Sequence, residues 1–262
     1  MIVLGFDMDG VLVRGPFRAY IFPWIVRYFK ESGVPLTDRE IINEIIGEHR
    51  KRLSVSKKFV YPFDWDDIVK KIAKKYGIDF KEDLSDWVKK AIQNEDAVYV
   101  FPDVIESLET LSKRRDLIMI LITNGYGAYQ VPILKSKGLN KYFKKIYTND
   151  EIGYGKPIKE YLERTLMKES GDRYLYVGDW LYFDMVPTKR VGAEFIWIYR
   201  FEVPDIIKNL APWERVKHPD FLKFYEKAWE KEIMRLENIF EFLPDYMILT
   251  LREIEEILEY KK

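Results

Sequence analysis

The segment Ile2-Val-Leu-Gly-Phe-Asp7-Met-Asp9-Gly10 carries the clearest indication of the fold. Its first half is a short apolar run of the kind that forms a buried strand, and it leads directly into two carboxylates and a glycine. In parallel α/β sheets a ligand binds beyond the carboxyl ends of the strands, so Asp7 and Asp9 are candidate site residues. An acidic pair also commonly ends a strand or caps a turn, so the rest of the chain must decide between the two interpretations.

Further apolar runs along the chain have the character of strands, and most of them precede an amphipathic segment. The strand-like runs are residues 117–122, 145–147, 173–177, 194–198 and 246–249. The helix-like segments are residues 102–114, 126–137, 159–168, 183–191 and 251–260. This alternation favours an α/β fold with a doubly wound, Rossmann-like parallel sheet and helices on both of its faces.

Residues 15–97 interrupt the alternation with a pattern that is mostly helical. The helix signals are a capping box at Thr37 and Glu40, an N-cap at Asp64 with a stop at Gly77, and an amphipathic run at 80–93. We therefore predict a helical cap domain at 15–97, inserted into a core made of residues 1–14 and 98–262.

A second insert occupies about residues 202–243. It contains a helical pattern with one apolar stripe, which is formed by Phe221, Tyr225, Trp229, Ile233, Leu236 and Phe240. We expect this helix to pack on the core or to make a dimer contact, so the chain is predicted to be a monomer or a homodimer.

Composition excludes several kinds of site. The chain has 43 Lys+Arg and 43 Asp+Glu residues, so its zero net charge gives no overall attraction to nucleic acid or to anionic membranes. It has no Cys and only two His residues, which rules out thiolate catalysis and a histidine-based metal centre. No apolar stretch reaches membrane-spanning length, so we expect a cytoplasmic protein without nucleic-acid or membrane partners. The abundance of Lys and Glu resembles that of proteins from thermophiles.

Three further motifs place polar groups at or near the carboxyl ends of predicted strands. They are Thr123-Asn124-Gly125, Lys156 between Gly155 and Pro157, and Gly178-Asp179 followed by Asp184. A hydroxyl with free backbone amides can hold phosphate oxygens, although Asn-Gly is also a common turn. Each motif is weak alone, but all of them fall on the sheet edge that carries Asp7.

Taken in this order, the four motifs resemble those of the haloacid dehalogenase-like (HAD) superfamily, and in particular its phosphatases with a C1-type helical cap. The resemblance covers about residues 1–14 and 98–201 and resumes at 244–258. It implies a Mg²⁺-dependent phosphatase that hydrolyses a small phosphorylated metabolite through an aspartyl-phosphate on Asp7. Asp9 favours phosphoryl transfer, because the superfamily's carbon–halogen-cleaving enzymes lack an Asp at that position.

The same resemblance gives each motif residue a role. Asp7 is expected to be the nucleophile, Asp9 the general acid and base, and Lys156 the cation between the nucleophile and the phosphate. We expect other acids around Asp9 to raise its pKa. The remaining expected roles are phosphate binding by Thr123, Asn124, Gly125 and Lys156, Mg²⁺ binding by Asp7, Asp9 (through its carbonyl) and Asp179, and support of the metal site by Asp184.

Alternatives stay open at this point. A phosphomutase of the same superfamily would carry the same motifs, and a catalytically weak phosphate-binding or scaffold protein would keep the fold. A phosphonate-cleaving enzyme would need a cap lysine such as Lys57 or Lys58. Trp180 and Pro187 depart from the family pattern and indicate an altered rim.

For two features of the cap we favour a structural role over a role in substrate binding. The run His49-Arg50-Lys51-Arg52 is more typical of a solvated helix face than of a grip on an anionic substrate. The nearby aromatic residues are expected to pack in the core; they are Phe59, Tyr61, Phe63 and Trp65.

Overall fold

The computed structural model describes residues 1–260, and a parallel six-stranded sheet forms the central layer. Its strands, in the spatial order β5-β4-β1-β6-β7-β8, have these bounds: β5 Lys145–Thr148, β4 Leu117–Thr123, β1 Ile2–Phe6, β6 Arg173–Gly178, β7 Glu194–Ile198 and β8 Tyr246–Ile248. All five neighbouring pairs are parallel, which confirms the predicted doubly wound, Rossmann-like α/β fold. The central strand β1 lies between β4 and β6, so three of the motif-bearing strand ends are adjacent.

Helices cover both faces of the sheet. The core helices are α5 Val104–Ser112, α6 Gly127–Ser136, α7 Asn149–Ile152, α8 Lys159–Glu163, α9 Val186–Arg190 and α13 Ile254–Tyr260. Successive residues of β1 point to opposite faces, where Leu4 and Phe6 join one buried cluster and Val3 joins another. Burial on both faces explains why the strand is apolar throughout rather than alternating.

A helical insert lies between two short strands, β2 Val13–Arg14 and β3 Tyr99–Val100, which pair antiparallel at its base. Its helices are α1 Phe22–Glu31, α2 Asp38–Val55, α3 Trp65–Lys75 and α4 Leu84–Ala91. The capping box of α2 is confirmed, since Thr37 Oγ1 accepts from the Glu40 N–H at 3.3 Å and the Glu40 carboxylate accepts from the Thr37 N–H at 2.8 Å. The bounds 15–97 for a cap domain remain our prediction.

The helix bounds in the insert correct the sequence interpretation in two places. We did not predict α1, although Pro23 at the start of that helix is a recognised signal for a first helical turn. The third predicted helix starts at Leu84 rather than at residue 80, because the side chain of Asp83 caps it by accepting from the Ser85 N–H at 2.7 Å.

The second insert contains three short helices, α10 Asp205–Lys208, α11 Pro212–Arg215 and α12 Phe221–Trp229. The aromatic residues of α12 pack on Trp197 of β7, with ring centroids 6.3 Å away for Phe221 and 6.1 Å for Tyr225. The helix ends at Trp229, so the predicted stripe is wrong beyond that residue, and Ile233 and Phe240 are 44% and 46% exposed.

After α12 the insert is held by long-range contacts and no longer forms a helix. The Glu232 carboxylate accepts backbone N–H groups from the segment that follows β6, and the hydroxyl of Tyr225 donates to the carbonyl of Phe242 at 2.7 Å. These long-range contacts outweigh a weak local helix preference. The oligomeric state remains a prediction.

Two predicted core helices are shorter than expected. Residues 159–168 form α8 and then a 3₁₀ turn at Leu166–Lys168, and residues 183–191 form a π-type turn at Leu181–Met185 and then α9. Pro187 lies in the first turn of α9, where a proline is tolerated. None of the helices formed by the described residues combines the length and the apolar character that crossing a membrane requires.

Candidate active site

Lys156 lies at the centre of the candidate site and joins groups from three parts of the chain. Its Nζ donates to Asp7 Oδ1 at 2.7 Å, to Asp184 Oδ1 at 2.5 Å and to the Tyr176 hydroxyl at 3.0 Å. The side chain is only 2% exposed. The structure thus brings together two of the predicted motifs that are 149 residues apart along the chain.

The loop that carries Lys156 is held by Asn124. The Asn124 Oδ1 accepts from the Lys156 N–H at 2.6 Å, and its Nδ2 donates to the Lys156 carbonyl at 3.0 Å. This pair of hydrogen bonds fixes the position from which the lysine side chain starts. The Asn124 side chain therefore serves the lysine loop, which the sequence did not suggest.

Thr123 is buried at the end of β4, one strand away from Asp7. Its Oγ1 accepts from the Gly125 N–H at 3.4 Å, so the hydroxyl and this amide lie next to each other. Thr123, Asn124 and Gly125 all line the cavity that contains Asp7. Their predicted role in phosphate binding remains a proposal.

Three carboxylates converge beside the lysine. Asp7, Asp179 and Asp184 each have an oxygen within 4.8 Å of the others. Both oxygens of Asp184 are engaged, one by Lys156 and the other by the Trp180 N–H at 3.0 Å. By contrast, Asp179 Oδ1 is buried and has no hydrogen-bond partner within the described part of the chain.

This arrangement fits a hard divalent cation. Such ions prefer oxygen ligands, and an orphaned buried carboxylate oxygen beside a second carboxylate is costly without a positive charge nearby. Asp7 and Asp179 are placed to bind the ion directly, whereas Asp184 is occupied in holding the lysine and the loop. That division is consistent with the roles predicted for Asp7, Asp179 and Asp184, which stay proposals, as does the predicted metal ligation by the Asp9 carbonyl.

Burial perturbs the ionisation of the cluster. Desolvation raises the pKa of Asp7 to about 7, although the nearby ammonium of Lys156 opposes the shift. Desolvation also raises the pKa of Asp179 well above its ordinary value, and the charge of Asp184 adds to this. Burial alone would lower the pKa of Lys156, but the charges of Asp184 and Asp7 raise it instead. The lysine therefore stays protonated, and the acids need further positive charge to ionise together.

Asp9 projects into the cavity and is oriented by two donors. Its Oδ1 accepts from the Gly15 N–H and its Oδ2 from Gln130 Nε2, each at 3.2 Å. Desolvation raises its pKa, and the hydrogen bond from Gln130 opposes the shift. The expectation that neighbouring acids cause the shift was wrong, since desolvation of the carboxyl in the cavity is the largest cause of the raised pKa. Gln130 is buried on α6, and a polar residue on the buried face of that helix was the signal that we missed.

Gly10 makes the approach between the two acidic loops possible. Its φ of 85° lies in the left-handed region that glycine adopts at low cost. A Cβ added at this position would overlap the carboxylate of Asp179. The glycine in the first motif is therefore required both by the turn and by the proximity of Asp179.

A cavity of about 620 Å³ opens over these groups. The core side includes Asp7, Asp9, Lys156 and Arg14 of β2. The insert contributes aromatic residues and arginines, namely Phe17, Phe22, His49, Phe63, Trp65, Arg18 and Arg50. The expectation of core packing is correct for Phe59, which is buried, and wrong for Tyr61, which is exposed. It is correct only in part for Phe63 and Trp65, which are half-buried, pack against buried clusters and also line the cavity.

The basic run at 49–52 divides between different environments. Arg50 lines the cavity, whereas Arg52 is buried in ion pairs with Glu48 at 2.9 Å and Asp67 at 2.6 Å. His49 is buried, with Nδ1 2.7 Å from the Pro62 carbonyl. The predicted solvated face is therefore wrong for His49 and Arg52.

The sequence of this chain is similar to those of known hydrolases. The chain is 27% identical over 135 residues to YfnB of Bacillus subtilis, described as a HAD-hydrolase, and the match covers 50% of this chain and 52% of YfnB. It is 26% identical over 159 residues to a glyceraldehyde 3-phosphate phosphatase of Methanocaldococcus jannaschii, which covers 53% of this chain and 69% of that protein. This chain thus matches about half the length of YfnB.

Solved structures show the same fold. A HAD phosphatase from Thermococcus onnurineus superposes with a TM-score of 0.67 at 22% identity, covering 99% of this chain and 98% of that one. YfnB, in a crystal structure described as bound to magnesium, gives a TM-score of 0.61 at 18% identity and covers 98% of each chain. At these identities the likeness concerns the fold alone.

The family assignment depends on the sequence match. A family model described as haloacid dehalogenase-like hydrolase matches residues 4–198, a region that contains every motif residue from Asp7 to Asp184. Since this region is most of the chain, the protein belongs to the haloacid dehalogenase-like hydrolase family.

Proposed function

We propose that this hydrolase is a Mg²⁺-dependent phosphatase that cleaves a small phosphomonoester through an aspartyl-phosphate on Asp7. The observation that carries the proposal is the buried contact of Lys156 with Asp7 beside the unpartnered oxygen of Asp179. A nucleophilic carboxylate needs a fixed cation next to it, and a metal site needs oxygens free of other partners. Both conditions are met at one edge of the sheet. Relatives that are themselves phosphatases support the reaction class.

The negative charges of the reacting groups explain why the site needs a lysine and a metal ion. A carboxylate that attacks a phosphate dianion is repelled by about 4 kcal/mol per charge at a separation of about 4 Å and an effective dielectric constant near 20. Lys156 offsets part of this repulsion and orients Asp7 through Oδ1. When bound, Mg²⁺ supplies the remaining positive charge and polarises the phosphoryl oxygens. Thr123 and the adjacent amides would bind phosphoryl oxygens.

Asp9 would transfer the protons. In the first step the phosphorus–oxygen bond to the leaving group breaks, a bond from Asp7 to phosphorus forms, and protonated Asp9 gives its proton to the departing alkoxide. In the second step a water attacks phosphorus, gives its proton to Asp9 and releases phosphate and the Asp7 carboxylate. The hydrogen bonds from Gly15 and Gln130 hold the Asp9 carboxyl in the cavity throughout. We also propose that residues 15–97 act as the cap that limits water access.

The test is release of inorganic phosphate from a panel of phosphomonoesters with Mg²⁺. The wild type should be active and Asp7→Asn should be inactive. Asp172→Asn is a matched control, since Asp172 is exposed and its carboxylate contacts the N-terminal amine. Equal activity of the wild type and Asp7→Asn would disprove the mechanism.

A further inference from the structure

The aromatic residues that line the cavity form a continuous wall of rings. The Trp65 ring lies 5.4 Å from the Phe22 ring and 5.9 Å from the Phe17 ring, and the His49 ring stacks on it at 4.9 Å. Phe63 continues the wall, with its ring 5.5 Å from that of His49. Except for His49, these rings are only half-buried, so their free surface faces the cavity rather than protein.

The size of the cavity is out of proportion to a very small substrate. About 620 Å³ is in the range of pockets that enclose a drug-sized ligand. A two- or three-carbon phosphate ester bound at Lys156 would leave most of the aromatic wall in contact with water. A flat ring would instead replace that water and meet the rings edge-on or offset, which is the favoured geometry of aromatic pairs.

Arginines add to the match. Arg14, Arg18 and Arg50 line the same cavity, and none of them forms an ion pair with any carboxylate of residues 1–260. A guanidinium can stack on a flat ring as well as attract an anion. A phosphorylated aromatic molecule offers both kinds of partner.

We propose, on the assumption that the proposed function holds, that the leaving group of the natural substrate carries an aromatic or heteroaromatic ring. Nucleoside monophosphates and aryl phosphates are the chemical classes that fit. Short-chain sugar and acid phosphates are expected to be poor substrates.

The experiment compares kcat/KM for a nucleoside monophosphate, for an aryl phosphate and for glycerol phosphate in the wild type, Trp65→Leu and Phe63→Leu. We expect the ring-bearing esters to be preferred, and each substitution to reduce that preference about fivefold to tenfold. Hydrolysis of glycerol phosphate by the variants shows that they are folded. Trp87→Leu is the control, because Trp87 packs against Phe80 and Tyr28 of the insert and does not line the cavity.

The outcomes separate the two proposals. If glycerol phosphate is cleaved as efficiently as the ring-bearing esters, the aromatic substrate class is wrong and the phosphatase remains. The aromatic substrate class is also wrong if Trp65→Leu and Phe63→Leu leave unchanged the ratio of kcat/KM for the ring-bearing esters to kcat/KM for glycerol phosphate. If no ester releases phosphate, the proposed function itself fails.

A second inference comes from an independent observation in the insert at 202–243. The Glu232 carboxylate accepts the Leu181 N–H at 2.8 Å through Oε1 and the Tyr182 N–H at 3.2 Å through Oε2. These consecutive amides open the turn Leu181–Met185, which follows Asp179 and contains Asp184. Glu232 lies beyond the region 4–198 that matches the family model.

We infer that Glu232 is a positioning residue, which sets the distance between Asp179 and the lysine-bound Asp184 by holding the loop between them. Two N–H groups bound by one carboxylate fix the direction of the backbone at this point more firmly than a single contact could. Burial raises the pKa of Glu232 to about 8, and the two backbone N–H groups oppose this shift because they favour the ionised carboxylate. Outer groups of this kind commonly change metal affinity when they are lost.

The test is Mg²⁺ binding measured by calorimetry at pH 8.5, with Glu232→Gln compared with Glu230→Gln, whose side chain is exposed on the same insert. We expect Mg²⁺ affinity to fall tenfold or more in Glu232→Gln and to be unchanged in Glu230→Gln. Circular dichroism shows that each variant is folded, and Glu232→Asp replaces Glu232→Gln if the latter is not. Unchanged Mg²⁺ affinity in the folded variant would overturn the inference.

Discussion

Replacing Lys156 by Met removes a cation that contacts both Asp7 and Asp184. The two contacts measure 2.7 Å and 2.5 Å, and the ammonium is almost fully buried. Removal of one partner from a buried ion pair costs about 3–5 kcal/mol, because the other charges stay behind without compensation. Part of this cost is relieved when Asp7 takes up a proton, so we expect a loss of about 3 kcal/mol in the free energy of unfolding without metal.

The same substitution should reduce catalysis. Loss of one positive charge near the transferred phosphoryl group is worth about 4 kcal/mol at an effective dielectric constant of 20. Since each 1.36 kcal/mol corresponds to a factor of about ten, kcat should fall about a thousandfold. Added Mg²⁺ should restore part of the stability, because it supplies positive charge to the same carboxylates, but it should not restore kcat.

The assays are urea denaturation with and without Mg²⁺ and phosphate release with saturating substrate. Lys144→Met is the control, because Lys144 also forms a salt bridge, to Glu169, but its own side chain is 59% exposed and stays solvated. A pair whose cation is solvated contributes about 0–1 kcal/mol. The reasoning would be refuted if Lys156→Met lost no more stability than Lys144→Met or kept a normal kcat.

Three further predictions concern other parts of the site. Asp9→Asn should lower kcat by about 10²–10⁴ while Mg²⁺ binding measured by calorimetry is preserved, and an equal loss of both would contradict its role in proton transfer. Gly10→Ala should destabilise the protein by at least about 2 kcal/mol in urea denaturation, because of its positive φ and the overlap with Asp179, whereas Gly47→Ala in the open middle of α2 should not. Burial lowers the pKa of His49 below its ordinary value of 6.5. As the pH drops below about 6.5, the unfolded state therefore binds a proton at His49 more readily than the folded state, and the free energy of unfolding should fall. His49→Gln should flatten the dependence of Tm on pH in that range, and parallel curves for the two proteins would contradict this.

The core of the fold was predictable because each of its strands carries its own signal. An apolar run that ends in Asp7, Thr123 or Gly178 specifies a buried strand and also the polar group at its carboxyl end. Parallel pairing then places those groups on a common edge without any information from distant residues. Only the chain order of the motifs was needed to expect that they meet.

Residues whose roles depend on long-range contacts were not predictable in this way. Gln130 contacts Asp9 from a helix 121 residues away, and Glu232 binds amides 50 and 51 residues before it. A polar residue on the buried face of a helix, such as Gln130, indicates that a buried partner exists, but nothing in the local sequence of Gln130 or Glu232 identifies which group that partner is. The stripe through Phe240 failed for the same reason, since the pattern records local spacing and the fold is decided by contacts that local spacing does not contain.

The two inferences together imply a division of labour among the three parts of the chain. The sheet edge supplies the reactive groups, and the aromatic wall from the first insert meets the body of the substrate. The segment that follows α12 contributes to both the sheet edge and the substrate cavity, because Glu232 holds the acidic loop while Ile233 lines the cavity. A substitution at Ile233 should therefore change the choice of substrate, whereas one at Glu232 should change Mg²⁺ binding, although the two residues are adjacent. If both effects are found, the insert at 202–243 forms part of the site. An insert that only covered the surface of the core would show neither effect.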